Sequence, residues 1–174
     1  MKRIAVIYQS KYGTTKQYAE WIADELNADL YERSNANPGL LDSYEVIIFG
    51  GGLYAGGISG IQLVTKNACK CLVVFTVGLA DPKSTDYSDI LNKNFNEKQL
   101  KSTRIFHLRG GIDYKKLGIV HKGMMAMLKK FMLDTKPIAE RTEDDTLMLE
   151  TYGDKIYFTD KSTIIPIIEY INAL

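Results

Sequence analysis

The stretch Tyr8-Gln9-Ser10-Lys11-Tyr12-Gly13-Thr14-Thr15 decides how this chain folds. Before it runs Lys2-Arg3-Ile4-Ala5-Val6-Ile7, apolar and rich in β-branched residues, which reads as a buried strand. After it, Tyr18, Trp21, Ile22 and Leu26 recur at helical spacing. A hydroxyl-rich loop therefore joins a first strand to a first helix. The start of a helix offers unpaired N–H groups and partial positive charge. Ser10, Thr14 and Thr15 add hydroxyl donors, and Gly13 permits close backbone approach. Together they make a phosphate site.

The loop has a single glycine, so it matches neither G-x-G-x-x-G nor G-x-x-x-x-G-K-[ST], which disfavours a dinucleotide fold and a P-loop NTPase. No acidic side chain lies between Met1 and Tyr18, and the nearby charges are Lys11 and Lys16. That balance suits a dianionic phosphate monoester.

The expected order is β-α-β-β-α-β-α-β-α. The strands are Arg3–Tyr8, Leu30–Arg33, Glu45–Gly50, Leu72–Val77 and Arg104–Leu108. The helices are Thr15–Leu26, Ser59–Asn67, a segment near Asp86–Asn92, and Thr163–Asn172. Val46-Ile47-Ile48-Phe49 and Leu72-Val73-Val74-Phe75 are near-continuous apolar runs, as in strands covered on both faces of a parallel sheet. Asn35-Ala36-Asn37-Pro38-Gly39 reads as a surface turn. At 174 residues the chain suits one core, so the expectation is a single domain over 1–174. Met1-Lys2-Arg3 leads straight into the first strand, leaving no room for a signal h-region, and no apolar run would span a membrane. The expected location is the cytoplasm, and Cys69 and Cys71 are expected as reduced thiols. No metal site is expected, since His107 and His121 lie far from both cysteines in sequence.

Strands three, four and five each end in small residues: Gly50 to Gly57, Thr76 to Pro82, and Arg109 to Tyr114. In an open parallel sheet such loops gather at the carboxyl edge, where ligands bind. Three of them beside a phosphate loop suggest a planar phosphorylated ligand.

On these residues the chain resembles the flavodoxin-fold, FMN-binding proteins. Ser10-Lys11-Tyr12-Gly13-Thr14-Thr15 is similar to their loop [ST]-x-T-G-x-T, with Tyr12 where Thr is usual. The resemblance implies a doubly wound five-stranded parallel sheet of order 2-1-3-4-5, helices on both faces, and a helical insertion, about 114–153, before the last helix. It is nearest the anaerobic, quinone-linked protoporphyrinogen oxidase branch, although Gly50–Gly57 lacks that branch's basic residue. Gly110 to Tyr114, the segment on to Leu133, and Asp154 to Asp160 look like that branch's insertion. The resemblance implies that Ser10, Lys11, Tyr12, Gly13, Thr14 and Thr15 hold the FMN phosphate. Gly51, Gly52, Leu53, Tyr54, Ala55 and Gly56 would border the isoalloxazine, with Tyr54 a stacking ring. Thr76, Val77, Gly78 and Leu79 would meet the pyrimidine edge, and Tyr114 would cover the other face. The cofactor does the redox chemistry, so no catalytic side chain is expected.

In Tyr114–Leu133, Leu117, Val120, Met124, Leu128 and Phe131 share one helical face, bordered by Met125, Met127 and Met132. Lys115, Lys122 and Lys129 recur on the opposite face, widened by Lys116 and Lys130. Such a helix either lies on an anionic membrane, here the inner membrane face, or packs on the sheet with its lysines solvated. His121 on the apolar face reads as a packed histidine. Glu140-Arg141-Thr142-Glu143-Asp144-Asp145 reads as an exposed loop. The formal net charge of +1 shows no acidic excess, and no basic-aromatic stripe points to nucleic acid. The expected function is an FMN-dependent oxidoreductase working between a protoporphyrinogen-like planar or lipophilic substrate and a quinone. The alternative is an electron carrier between redox protein partners.

Overall fold

A computed structural model describes residues 2–174, apart from the side chain of Asp144. Met1, expected to lead into the first strand, lies outside the described residues. They form two compact units. The residues up to Gly110 together with Thr159–Leu174 make the first, and Gly111–Phe158 the second.

The first unit contains β1 (Ile4–Gln9), α1 (Thr14–Leu26), β2 (Asp29–Glu32), α2 (Pro38–Asp42), β3 (Val46–Tyr54), β4 (Gly57–Ile58) and α3 (Gln62–Thr65). It continues with β5 (Leu72–Gly78), α4 (Ser88–Asn94), α5 (Glu97–Ser102) and β6 (Arg104–Arg109). The sheet order is β2-β1-β3-β5-β6, and each of these pairings is parallel. With the parallel strands counted consecutively, this is the flavodoxin-like order 2-1-3-4-5 expected above.

Both faces of the sheet are covered. Val6, Ile48, Val73 and Phe75 pack against Tyr18 and Ile22 of α1 and against Ile167 and Ile171 of the last helix. Ile7, Ile47, Phe49 and Val74 pack against Leu41 of α2, Val64 of α3 and Phe95. Each such side chain stabilises by about 1.5–3 kcal/mol through burial. This two-sided demand explains why β3 and β5 lack the alternation of a half-wet strand.

Several boundaries differ from expectation. Strand three was expected to stop at Gly50, but β3 runs on to Tyr54 and turns back into the antiparallel β4. Gly50 and Gly51 are strand residues for a packing reason. A methyl on Gly50 would run into the Phe75 ring, and one on Gly51 into Ile58 and the Ser59 carbonyl. The helix expected over Ser59–Asn67 shrinks to α3. The expected turn at Asn37 is the start of α2: the Asn37 side chain accepts from Leu40 N, with Pro38 next to it. The helix expected near Asp86–Asn92 is α4, and it is followed by α5, capped by Asn96 and Gln99.

The second unit holds β7 (Gly111–Asp113), α6 (Ile119–Thr135), α7 (Glu143–Glu150) and β8 (Lys155–Tyr157), with β7 and β8 paired antiparallel. The acidic cluster read as an exposed loop begins α7 instead. Thr142 and Asp145 form its capping box, and Lys136 bonds Asp145 at 2.7 Å, holding that carboxyl below its ordinary range. On α6 the buried residues are His121 and Met132. Val120 and Phe131, on the apolar face whose cover the sequence left open, are 69% and 59% exposed. Leu117, grouped with them in the sequence, is buried and precedes the helix.

After this insertion the chain returns to the first unit and ends in α8 (Ile165–Asn172). One hydroxyl marks the junction. Tyr18 on α1 donates to the Arg109 carbonyl at 2.8 Å and accepts from Asp160 N at 3.2 Å. The chain leaves and re-enters the first unit at the same buried oxygen. Tyr18→Phe strands a carbonyl and an N–H there, so it should lower stability by about 1–3 kcal/mol. Urea denaturation followed by Trp21 fluorescence measures it, and a loss under a few tenths of a kcal/mol would contradict the bridge.

Candidate cofactor site

The loop after β1 is organised by its own groups. Gly13 N donates to Ser10 Oγ at 3.0 Å, which leaves the Ser10 proton able to serve another acceptor. Gly13 caps α1 in the left-handed region at φ 97°, where a side chain would be strained. A methyl there would meet nothing within 4 Å, so the space over the loop is open. No side chain caps α1, and its first turn carries no acid. The leading N–H groups of the helix thus have no intrahelical acceptor, and no acid in that turn repels an anion.

Other sheet-edge segments converge on this loop. A methyl on Gly52 would lie 3.4 Å from Thr15 Oγ1, and one on Gly110 would lie 3.1 Å from Thr14 Oγ1. Both threonine hydroxyls therefore face the carboxyl ends of neighbouring strands, and Thr15 is buried. Lys11 Nζ lies 5.7 Å from the Tyr54 ring and 5.9 Å from the Tyr12 ring. A methyl on Gly78 would touch Leu53 at 3.0 Å. The strand register places Gly51 beside Thr76, continuing the edge from β3 to β5, where Val77 is buried.

Tyr54 is exposed at the tip of the β3–β4 hairpin. Ala55 and Gly56 turn it with φ of 48° and 71°. Both values are positive, as a tight right-twisted hairpin requires, and the alanine stores strain there. Helix α4 steadies the hairpin: Lys93 Nζ donates to Ala55 O at 3.3 Å, and Asn94 Nδ2 to Gly56 O at 3.4 Å. Tyr114 belongs to the second unit, buried with its ring 5.0 Å from that of Tyr152.

These residues fit a phosphate monoester followed by a flat ring system. The donors are hydroxyls and helix N–H groups, acids are absent from the first turn of α1, and the space over Gly13 is open. A family model described as "Flavodoxin domain" matches residues 5–137. The chain belongs to the flavodoxin family. Membership supports FMN as its cofactor and redox chemistry as its activity. Protein MJ0298 of Methanocaldococcus jannaschii is 27% identical over 128 residues, 65% of this chain and 85% of that protein. Among solved structures, flavodoxin 2 from Bacillus cereus is 18% identical over 62% of this chain and 84% of its own, with a TM-score of 0.46. A flavoprotein from Lactobacillus acidophilus, solved in complex with FMN, is 13% identical over 63% and 93%, with a TM-score of 0.42.

Sequence reasoning passed over two site neighbours. His107 Nδ1 lies 2.6 Å from Thr76 Oγ1, and its ring stacks on Tyr87 at 3.6 Å and 5°. Burial pushes the His107 imidazole below its ordinary value and the Tyr87 hydroxyl above its own. The contacts depend on cross-strand register, and only a commitment to the pairing of β5 with β6 could have exposed them. Cys69 is pushed up to about 11 by burial and Cys71 is also raised, so neither is poised as a thiolate. Among the described residues no cluster of three or more His, Cys, Asp or Glu side chains could hold a metal, and no helix is long and apolar enough to cross a membrane. A groove of about 400 Å³ between α1 and α8, lined by Glu25, Lys161 and Ile165 among others, contains no expected site residue.

Proposed function

We propose that this flavodoxin-family protein is an FMN-dependent oxidoreductase that passes electrons between a planar or lipophilic donor, protoporphyrinogen-like, and a quinone-type acceptor. The observation that carries the FMN part is the uncapped, acid-free start of α1 behind a left-handed Gly13. Ser10, Thr14, Thr15 and the first N–H groups of α1 would bind the phosphate. The segments Gly51–Gly56 and Thr76–Leu79 would orient the ring system, and the buried strand ends would keep water from its inner side. Bound FMN supplies the electron and hydride chemistry, so these residues need only bind, orient and exclude.

Support for a lipophilic partner comes from α6. Val120, Met127 and Phe131 are 69%, 74% and 59% exposed, an apolar stripe that few soluble monomers leave open. Lys116, Lys122 and Lys130 are exposed on the same segment, while Lys129 Nζ sits 4.2 Å over the Tyr152 ring. Lysines near an anionic lipid surface attract it by about 1 kcal/mol each, within a Debye length. The partner reading is therefore a quinone met at an anionic membrane surface, with reversible contact.

One assay tests both parts. The protein, loaded with FMN and reduced, is offered a lipophilic quinone in anionic or in neutral vesicles. It should oxidise faster with anionic vesicles at low salt, and the advantage should vanish at high salt. Equal rates in both vesicles would remove the membrane contact. Negligible quinone reduction, together with rapid exchange with low-potential redox proteins, would establish the carrier function instead.

A further inference from the structure

The segment after β5 is held at both ends by one strand. Residues 107 and 109 of β6 alternate onto the same face of the sheet, opposite Thr76 and Gly78 in the register. At the near end Arg109 Nε donates to the Leu79 carbonyl at 3.0 Å, and Arg109 Nη1 lies 4.0 Å from Asp81 Oδ2. At the far end the His107 ring carries Tyr87 flat against it, while its Nδ1 is tied to the fully buried Thr76. Between the ends the loop bonds itself: Asp81 Oδ1 accepts from Lys83 N, and the Asp81 carbonyl from Thr85 Oγ1.

We propose that His107 and Arg109 are positioning residues, clamping the loop 79–87 onto β6 so that its backbone is preset for the flavin pyrimidine edge. The placement of the flavin rests on the FMN reading; the clamp itself does not. The peptide group is planar, so a fixed Leu79 carbonyl also fixes the direction of the Ala80 N–H on the other side of that bond. A preset donor costs no ordering when a ligand arrives, and that saving appears as affinity. The Arg109 side chain reaches the loop from outside the core, and the His107–Tyr87 stack adds area with few rotors to freeze.

Amide hydrogen exchange on the flavin-free protein tests the clamp, and flavin titration tests its use. Arg109→Gln and His107→Ala should each speed exchange of the amides of residues 80, 81 and 83–86 by about tenfold, the loss of one bond or stack, with α1 amides unchanged. His107→Phe keeps a ring under Tyr87 and should give a smaller acceleration, about threefold; it also serves should His107→Ala fail to fold. FMN and riboflavin should weaken equally, since the loop faces the part that both share. Wild-type exchange rates in Arg109→Gln and in the folded His107 variants would overturn the clamp. So would acceleration spread evenly over the whole sheet, which marks general destabilisation. If the wild type binds no FMN, the cofactor reading fails, and the exchange arm still decides the clamp.

Discussion

Thr15→Ala is expected to weaken FMN binding by tenfold to a hundredfold while leaving riboflavin affinity nearly unchanged. Thr15 is buried, and its hydroxyl is directed toward the end of β3, near Gly52, at the first turn of α1. In the FMN reading that hydroxyl donates to a charged oxygen. A hydrogen bond to a charged group contributes about 1.5–3 kcal/mol, and each 1.4 kcal/mol is about tenfold in affinity. Riboflavin lacks the phosphate, so it has nothing to lose at this position. Fluorescence quenching titrations of both flavins against both proteins give the ratio. Equal weakening would mean that Thr15 supports the loop without touching phosphate.

Excising residues 111–158 is the second large effect. The Arg109 carbonyl and the Asp160 N–H bind the same Tyr18 hydroxyl, so the two cut ends stay adjacent and a short Gly-Ser bridge can close them. The parallel sheet and its covering helices all lie outside the excised segment. The shortened protein should fold and keep FMN affinity within about threefold, roughly half of one hydrogen bond. Quinone reduction should fall by at least about tenfold, because the exposed stripe of α6 goes with the segment. Loss of FMN affinity would instead place a flavin contact in the inserted unit, Tyr114 first. Unchanged quinone reduction would mean that the insertion serves something else.

The central sheet was legible in the sequence because burial on both faces leaves a plain mark. Val46 to Phe49 and Leu72 to Phe75 admit no polar alternation. Of the loop Ser10–Thr15, the sequence marked its place between a first strand and a first helix, and the structure puts it there with Gly13 in the left-handed region and no side-chain cap on α1. The β3–β4 hairpin was hidden because its turn is Ala55-Gly56, and Ala55 adopts a positive φ that its side chain disfavours. The signal for α2 was present in Asn37-Pro38, an N-cap followed by proline, and was outweighed by the run of turn formers around it. Helix α7 carries almost no apolar periodicity and begins in a capping box instead.

On α6 the periodicity named a helix, and His121 on its apolar face is packed as read, but it left open whether the rest of that face is covered. His121 and Met132 take the covered arc, and most of the apolar stripe lies open. Hydrophobic spacing reports that a face is apolar; what covers it is a tertiary fact. The same limit hid the His107–Tyr87 stack, whose members gain meaning only from strand register.

FMN binding is tested most directly by the affinity and stoichiometry with which the flavin-free wild-type protein takes up FMN, riboflavin and FAD. One FMN should bind per chain, at least about tenfold more tightly than riboflavin, because the phosphate adds one or more charged hydrogen bonds. FAD, whose phosphate carries a further nucleotide, should bind more weakly than FMN. No flavin uptake, or equal affinity for FMN and riboflavin, would contradict the FMN reading.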